Sequence, residues 1–399
     1  MFFKKYKLNF NDKILIAIIA IQLFGLYGGA FQPVRLLCIG VLFLGNIKKS
    51  VIQTYRYEIS FLLFFFVYGV FSIPFSEDPG QAIYSITYLA VHSLIILAMI
   101  FVSDKAINPV ISVIIGWLIF IMFSLPFAIF EIITDWHFSN SKFEGDMLIN
   151  VYGTGVAKNF ASFTFGNFNY YNLLLTYSLP FLMSSFFIFK NKKQKVLLYS
   201  SLIGISFVVL SNGSRGALLC LLIILIYFLK SNIVKFNIGK IIMPLFFMFF
   251  LVKYLTEQGS FLTSIILKSD RMFEDASRVN LLSKGFELFI DSFLLGVGPG
   301  NLGVMYTNVY GMTLIAPHNL FLEILVEYGI LVFLGFVLLL VKIYKRKKQL
   351  NGYSKFIIYG TFVLLPFSSL INSLYLLTPN LWVLIGSLLI ISNINYKNK

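Results

Sequence analysis

Three histidines, a handful of isolated cations and two carboxylates four residues apart are the groups in this 399-residue chain that could do chemistry. His92 falls inside an apolar run, His137 in a loop, and His318 in Pro317-His318-Asn319, directly ahead of an apolar helix. A helix N-terminus carries free amide donors and a partial positive charge. That field disfavours imidazolium and keeps a neutral ring that accepts a proton, which makes His318 a candidate general base. The plainer reading is a structural histidine.

Arg215 is placed in a similar way. Ser211-Asn212-Gly213-Ser214-Arg215-Gly216 joins two apolar runs, with Asn212 or Ser214 expected to cap the helix that follows. Helix N-termini attract anions and a guanidinium adds a fork that fits phosphate, so one reading is a diphosphate seat. The other is an arginine snorkelling among headgroups. Glu323 and Glu327 share one face of the helix opened by His318, roughly one and a half and two and a half turns below it. Intramembrane carboxylates are costly and are usually paired or functional. Paired with Arg215 or Arg278 they would be struts, the reading favoured for Glu327. Otherwise they would orient His318 or position an acceptor sugar.

The elements that must hold these groups are membrane helices. With 58% hydrophobic and 12% charged residues and a mean hydropathy of +0.85, the composition excludes a soluble globule, a disordered tail and a coiled coil. Apolar runs lie near 14–32, 33–47, 57–75, 81–103, 107–133, 168–189, 196–211, 216–229, 241–256, 318–341, 356–376 and 378–394. They predict an all-α integral membrane protein, a single polytopic domain over 1–399 with about twelve spans. The run at 14–32 reads as a retained helix, not a removed signal.

The net charge of +15 follows from orientation. With the N-terminus in the cytoplasm, 23 of the 32 Lys and Arg fall on that side. The other side holds Arg35, Lys142, Lys158, Arg215, Lys253, Lys268, Arg271, Arg278 and Lys284. A nucleic-acid partner is therefore not expected. Cys38 and Cys220 lie in apolar runs and read as small hydrophobes.

Two connections are long, 134–167 and 257–317, both expected outside. In the second, Leu281, Phe286, Leu288, Phe289 and Ile290 predict an amphipathic helix over the outer face. Gly296-Val297-Gly298-Pro299-Gly300-Asn301 follows it. No strand precedes this glycine run and a proline interrupts it, so it reads as a tight turn where backbone approaches something closely, not as a dinucleotide site.

The stretches SNGSRGALL at 211–219, Ser277-Arg278, GVGPGNLG at 296–303 and PHNLFLEILVEYGILVFLG at 317–335 stand in the order found in the O-antigen polymerase and ligase superfamily. Together with Phe165-Gly166-Asn167-Phe168-Asn169, they make residues 160–341 resemble its Wzy-type C-terminal region. The resemblance implies a GT-C-like, metal-independent glycosyltransferase without a cofactor, at the outer face of the bacterial inner membrane. The donor would be a glycan on undecaprenyl diphosphate. The acceptor would be a lipid-linked repeat for a polymerase, the favoured reading, or a lipid A core sugar for a ligase. The bilayer and a chain-length regulator are further partners that it implies.

On this reading Arg215 and Arg278 stabilise the departing diphosphate and His318 takes the acceptor proton, with inversion at the anomeric carbon. Arg271, Asn169, Asn319, Glu323 and Glu327 are the substrate-binding candidates. No carboxylate pair at glycosidase spacing is evident, so hydrolysis of free glycan is not expected. A twelve-span flippase is the reading from another class; it gives no reason for the polar candidates to gather at one surface.

Overall fold

The computed structural model describes residues 6–27, 29–45, 48–134, 136–138, 160–231, 270–312, 318–350, 352–372, 375–376 and 378–393, with the side chains of 30 and 270–278 outside that description. Every regular element among the described residues is helical. Six of the helices among the described residues are long and apolar enough to cross a bilayer. They are α4 (Arg56–Ser72, continued by a 3-10 turn to Phe75), α5 (Pro79–Lys105), α6 (Pro109–Thr134), α7 (Phe168–Ile188), α8 (Lys192–Asn212) and α12 (Leu320–Arg346). The apolar runs at 33–47, 216–229, 356–376 and 378–394 form shorter helices: α2 (Pro33–Leu44), α9 (Arg215–Lys230), α13 (Gly352–Ser368) and α14 (Asn380–Ser392), and the short α3 (Lys49–Thr54) precedes α4. The run at 241–256 lies outside the described residues.

The first run, expected as one helix over 14–32, forms only α1 (Phe10–Ala20) and two 3-10 turns. It breaks because another segment comes in beside it. Leu26 N donates to the Thr164 carbonyl at 3.1 Å, and the Thr164 hydroxyl donates to the Leu23 carbonyl at 2.6 Å. Gly25, at φ 51°, makes room for this approach. Residues 160–165 are buried although irregular. Irregular backbone at such depth survives only where its polar groups are met. Here Asn212 spans both backbone groups of Ala161, at 2.8 and 3.0 Å, and the Glu131 carboxylate accepts from Phe163 N at 2.8 Å.

Helices close on one another where a side chain is missing, the usual device for packing in lipid. A Cβ at Gly335 of α12 would stand 2.8 Å from the Phe61 ring of α4. One at Gly360 of α13 would stand 2.9 Å from Ile224 of α9 and 3.4 Å from Pro180 of α7.

Buried charges sit at helix ends and are held by donors or opposite charges. Asp12 accepts from Ile107 N, Asn108 N and the Ser112 hydroxyl, tying α1 to the turn between α5 and α6. Arg35 of α2 is 1% exposed; it donates to the Gly29 carbonyl at 2.8 Å, lies 3.2 Å from His92 Nε2 and stacks over Tyr88. Both cysteines are buried and unbridged.

The predicted amphipathic helix is present as α10 (Asp270–Asp291), followed by α11 (Leu302–Tyr310). Leu281, Leu288 and Phe289 face inward, whereas Phe286 and Ile290 are exposed, so the buried stripe is narrower than expected. Gly285 lets α10 approach Tyr306, whose hydroxyl donates to the Leu281 carbonyl at 2.6 Å. Leu322, Leu325 and Val326 of α12 join this second core.

Between these elements the glycine turn does what its sequence predicts. Gly329, at φ 72° and ψ −177°, breaks α12. The broken ladder is replaced by the 294–298 backbone: Ile330 N donates to Leu294 O at 2.9 Å, Val297 N to Val326 O at 2.8 Å and Gly298 N to Glu327 O at 3.0 Å. Any Cβ on Gly298 would overlap the Ser76 hydroxyl, and one on Gly329 the Leu295 carbonyl. Asn301 completes the seam by accepting from Asp78 N at 2.7 Å and donating to Asp78 O at 3.2 Å.

Gly329→Ala is expected to cost at least about 2 kcal/mol, because backbone strain and overlap act together. Gly311→Ala has the same φ sign, at 63°, but open space around it, and is expected to cost roughly 1 kcal/mol. Thermal unfolding in detergent compares the two; equal losses would remove the seam as the cause.

Candidate functional site

Two of the polar candidates, Arg215 and His318, stand where α9 and α12 begin, and the end of α13 reaches both helix starts. His318 stands in the left-handed region at φ 49°, a conformation that costs a residue with a Cβ and persists only when its surroundings impose it. Two contacts do so. Asn319 caps α12, its side-chain oxygen accepting from Phe321 N and Leu322 N at 3.1 Å each. Leu320 N reaches the Ser369 carbonyl at 3.4 Å, just past the end of α13.

His318 Nδ1 lies 3.4 Å from the side-chain oxygen of Asn372. An amide oxygen only accepts, so this contact is a hydrogen bond in the tautomer protonated at Nδ1, which leaves the lone pair on Nε2. That is the tautomer a base needs. Asn372 is 1% exposed and was not singled out in the sequence. Its signal is the polar tail of an apolar run, Ser368-Ser369-Leu370-Ile371-Asn372-Ser373 after Pro366.

Arg215 is the exposed first residue of α9. The expected cap is not made. Ser214 occupies the N-cap position without a side-chain bond, and Asn212 is committed to Ala161 and to the Asn172 side-chain oxygen at 3.0 Å. The helix start is instead set by packing. A Cβ on Gly216 would stand 2.9 Å from Ile371. The turn after α13 therefore touches both helix starts, next to Arg215 through Ile371 and at His318 through Asn372.

Glu327 sits below them, 6% exposed. Of the two partners expected for Glu327 from sequence, the Arg278 side chain lies outside the described residues. Its carboxylate accepts from the Tyr375 hydroxyl at 2.5 Å and is met by the amides of Gly300 and Leu302. Uncharged donors suffice because the glycine turn brings backbone N–H groups to the acid. Tyr375 is in turn fixed by Trp382, whose indole donates to its carbonyl at 2.7 Å.

Glu323 is buried in the first turn of α12, near Tyr306 of α11. Burial, and after it the nearby Glu323 carboxylate, push the Tyr306 phenol upward. Asn169 is half-buried in the first turn of α7, which Asn167 caps by accepting from Asn169 N at 2.7 Å. The side chains of Arg271 and Arg278 lie outside the described residues, as does most of the 134–167 loop.

Outside this cluster, Glu131 was also missed. It is fully buried at the end of α6, with His137 Nδ1 at 3.6 Å.

A polytopic helical protein with a histidine and an arginine at neighbouring helix starts is the class these features define. Residues 200–337 match the family model described as O-antigen ligase, Wzy_C, within the 160–341 region singled out by its motifs. That stretch is thus similar to the Wzy-type region of the O-antigen polymerase and ligase superfamily. Teichuronic acid biosynthesis protein TuaE of Bacillus subtilis (strain 168) is 26% identical over 322 residues, 75% of this chain and 63% of the relative. The chain thus spans less than two thirds of that curated relative's length. At the level of family, both similarities point to polysaccharide biosynthesis.

Tyr375→Phe removes one donor from a buried carboxylate and is expected to cost about 1–3 kcal/mol. The unfolding midpoint in detergent checks it, and an unchanged midpoint would mean that the phenol contributes nothing to holding Glu327.

Proposed function

We propose that this chain is a glycosyltransferase that lengthens a surface polysaccharide, moving a glycan from undecaprenyl diphosphate to a lipid-linked acceptor repeat at the outer face of the cytoplasmic membrane. The observation that carries the reading is the turn after α13, which touches the starts of both α9 and α12. Arg215 and His318 open those two helices.

In this mechanism the diphosphate lies at the N-terminus of α9, where amide donors and the Arg215 fork offset the charge that builds as the glycosidic oxygen departs. Arg278, and Arg271 beside it, would add charge from α10. The acceptor hydroxyl attacks the anomeric carbon as the bond to the diphosphate oxygen breaks, inverting that centre. Its proton passes to Nε2 of His318, while Asn372 holds Nδ1 and so the ring. Fixed cations take the part that a metal plays in other transferases. Asn319 and Glu327 act by position, one setting the helix start and the other the turn beneath it. Glu323 and Asn169, at the first turns of α12 and α7, are the groups proposed to meet sugar hydroxyls.

The ligase reading is favoured by one observation, the description of the matching family model as O-antigen ligase. The two readings share chemistry and differ in acceptor. A lipid-glycan profile of a deletion strain separates them: single repeats on the final acceptor mark a lost polymerase, and long chains accumulating on carrier lipid mark a lost ligase.

His318→Ala is expected to lower transfer by a factor of about 10²–10⁴ at a normal membrane level; wild-type chain lengths would end its role as base. Arg215→Lys keeps the charge but loses the fork, and a fall of about tenfold or more is expected in the same assay. Full activity in that variant would leave Arg215 as an interfacial anchor.

A further inference from the structure

The far end of α12 carries a second site. Between the start of α4 and the last turns of α12 lies an open cavity of about 730 Å³. Arg56, Lys342, Lys345 and Arg346 line it, four cations in one cleft. The nearby carboxylate is Glu58, 1% exposed, and it is already engaged: Arg346 reaches it at 2.7 Å and Lys342 at 3.4 Å.

One buried acid balances one of those four charges and leaves an excess of positive charge facing the cavity. Arg346 Nη1 is buried, and among the described residues it has no hydrogen-bond partner. Such a group is costly unless a ligand supplies the acceptor. Tyr57 forms part of the wall; Arg56 donates to its hydroxyl at 2.7 Å and Lys342 stacks over its ring at 3.7 Å. Basic groups at the end of a helix are expected from the macrodipole and from orientation. Those causes require neither a cleft nor a buried guanidinium nitrogen left open.

The flank of the cleft distinguishes a lipid from a soluble anion. Leu331, Leu334, Leu338 and Val341 are all exposed and follow one another at helical spacing along α12. Leu338 and Val341 line the cavity itself. An apolar stripe that ends in a basic cleft fits an acyl chain below a phosphate, and basic pockets between membrane helices hold anionic headgroups by this combination.

We propose that this cleft binds the phosphate headgroup of an anionic phospholipid in the leaflet at the α12 end opposite His318. The charge bias of the loops predicts that leaflet to be cytoplasmic. The site is separate from the transfer chemistry and does not depend on it.

Native mass spectrometry of the full chain in detergent, titrated with phosphatidylglycerol or phosphatidylcholine, tests this. Phosphatidylglycerol is expected to bind the wild type more tightly than phosphatidylcholine. Arg56→Gln/Lys345→Gln, two exposed side chains that make no ion pair with Glu58, should weaken that binding about thirtyfold, and Lys345→Gln alone about fivefold. Unfolding in lipid-free detergent identifies a misfolded double variant, in which case the single substitution decides. Equal phosphatidylglycerol affinity in wild type and Lys345→Gln would overturn the site. Inorganic phosphate binding as tightly as the lipid would overturn its assignment to a lipid.

Discussion

A membrane helix cannot leave a backbone group unpaired, and the break in α12 at Gly329 makes that constraint the organising fact of the structure. Three backbone hydrogen bonds from residues 294–298 repair the break. They fix the glycine turn, and the turn then supplies the amides of Gly300 and Leu302 to Glu327. At depth in α12 this carboxylate is met by neutral donors, one phenol and two backbone amides. From that acid the Tyr375 hydroxyl leads to the connection between α13 and α14, whose earlier residues touch His318 and pack beside Arg215.

The same logic recurs wherever polar groups are buried. Asp12 collects three amides and a hydroxyl, and Glu131 an amide of the irregular 160–165 segment. Asn212 collects both groups of a peptide. In each case a side chain at or near a helix end replaces the water that backbone would otherwise need. The fold therefore rests on non-helical stretches pinned by acids and amides, with helices closing around them through glycine contacts.

Hydropathy and charge bias made the helical membrane class legible, because both report on the bilayer itself. Helix breaks were harder to read. The run at 14–32 is apolar throughout, and its interruption is set by Thr164, more than a hundred residues away. Gly329 sits in an equally apolar run, so its break shows only in the partner turn. That partner was legible: glycines at 296, 298 and 300 and Asn301 announced a close backbone approach, although not its target. His318 and Arg215 stood out because polar residues at helix starts in an apolar chain are few. Asn372 and Tyr375 were hidden by being ordinary residues after a proline. The cap expected from Asn212 failed because a long-range peptide competed for the same amide group and won.

Gly329 also explains why α12 can hold two unlike ends. A straight helix of this length would fix the rotation of its last turn from its first. With one residue outside the helical region, the halves before and after Gly329 are set independently, one by the glycine turn and one by contacts to α4 at Gly335 and Glu58. The first half can then turn His318 and Glu327 toward the α13 connection while the second turns Lys342 and Arg346 toward Glu58. An unbroken helix would have to satisfy both faces with one phase, and its apolar stripe at Leu331, Leu334, Leu338 and Val341 would be tied to the position of Glu327. The break is therefore what allows one helix to present a buried acid to the protein and an apolar stripe with a basic end to lipid.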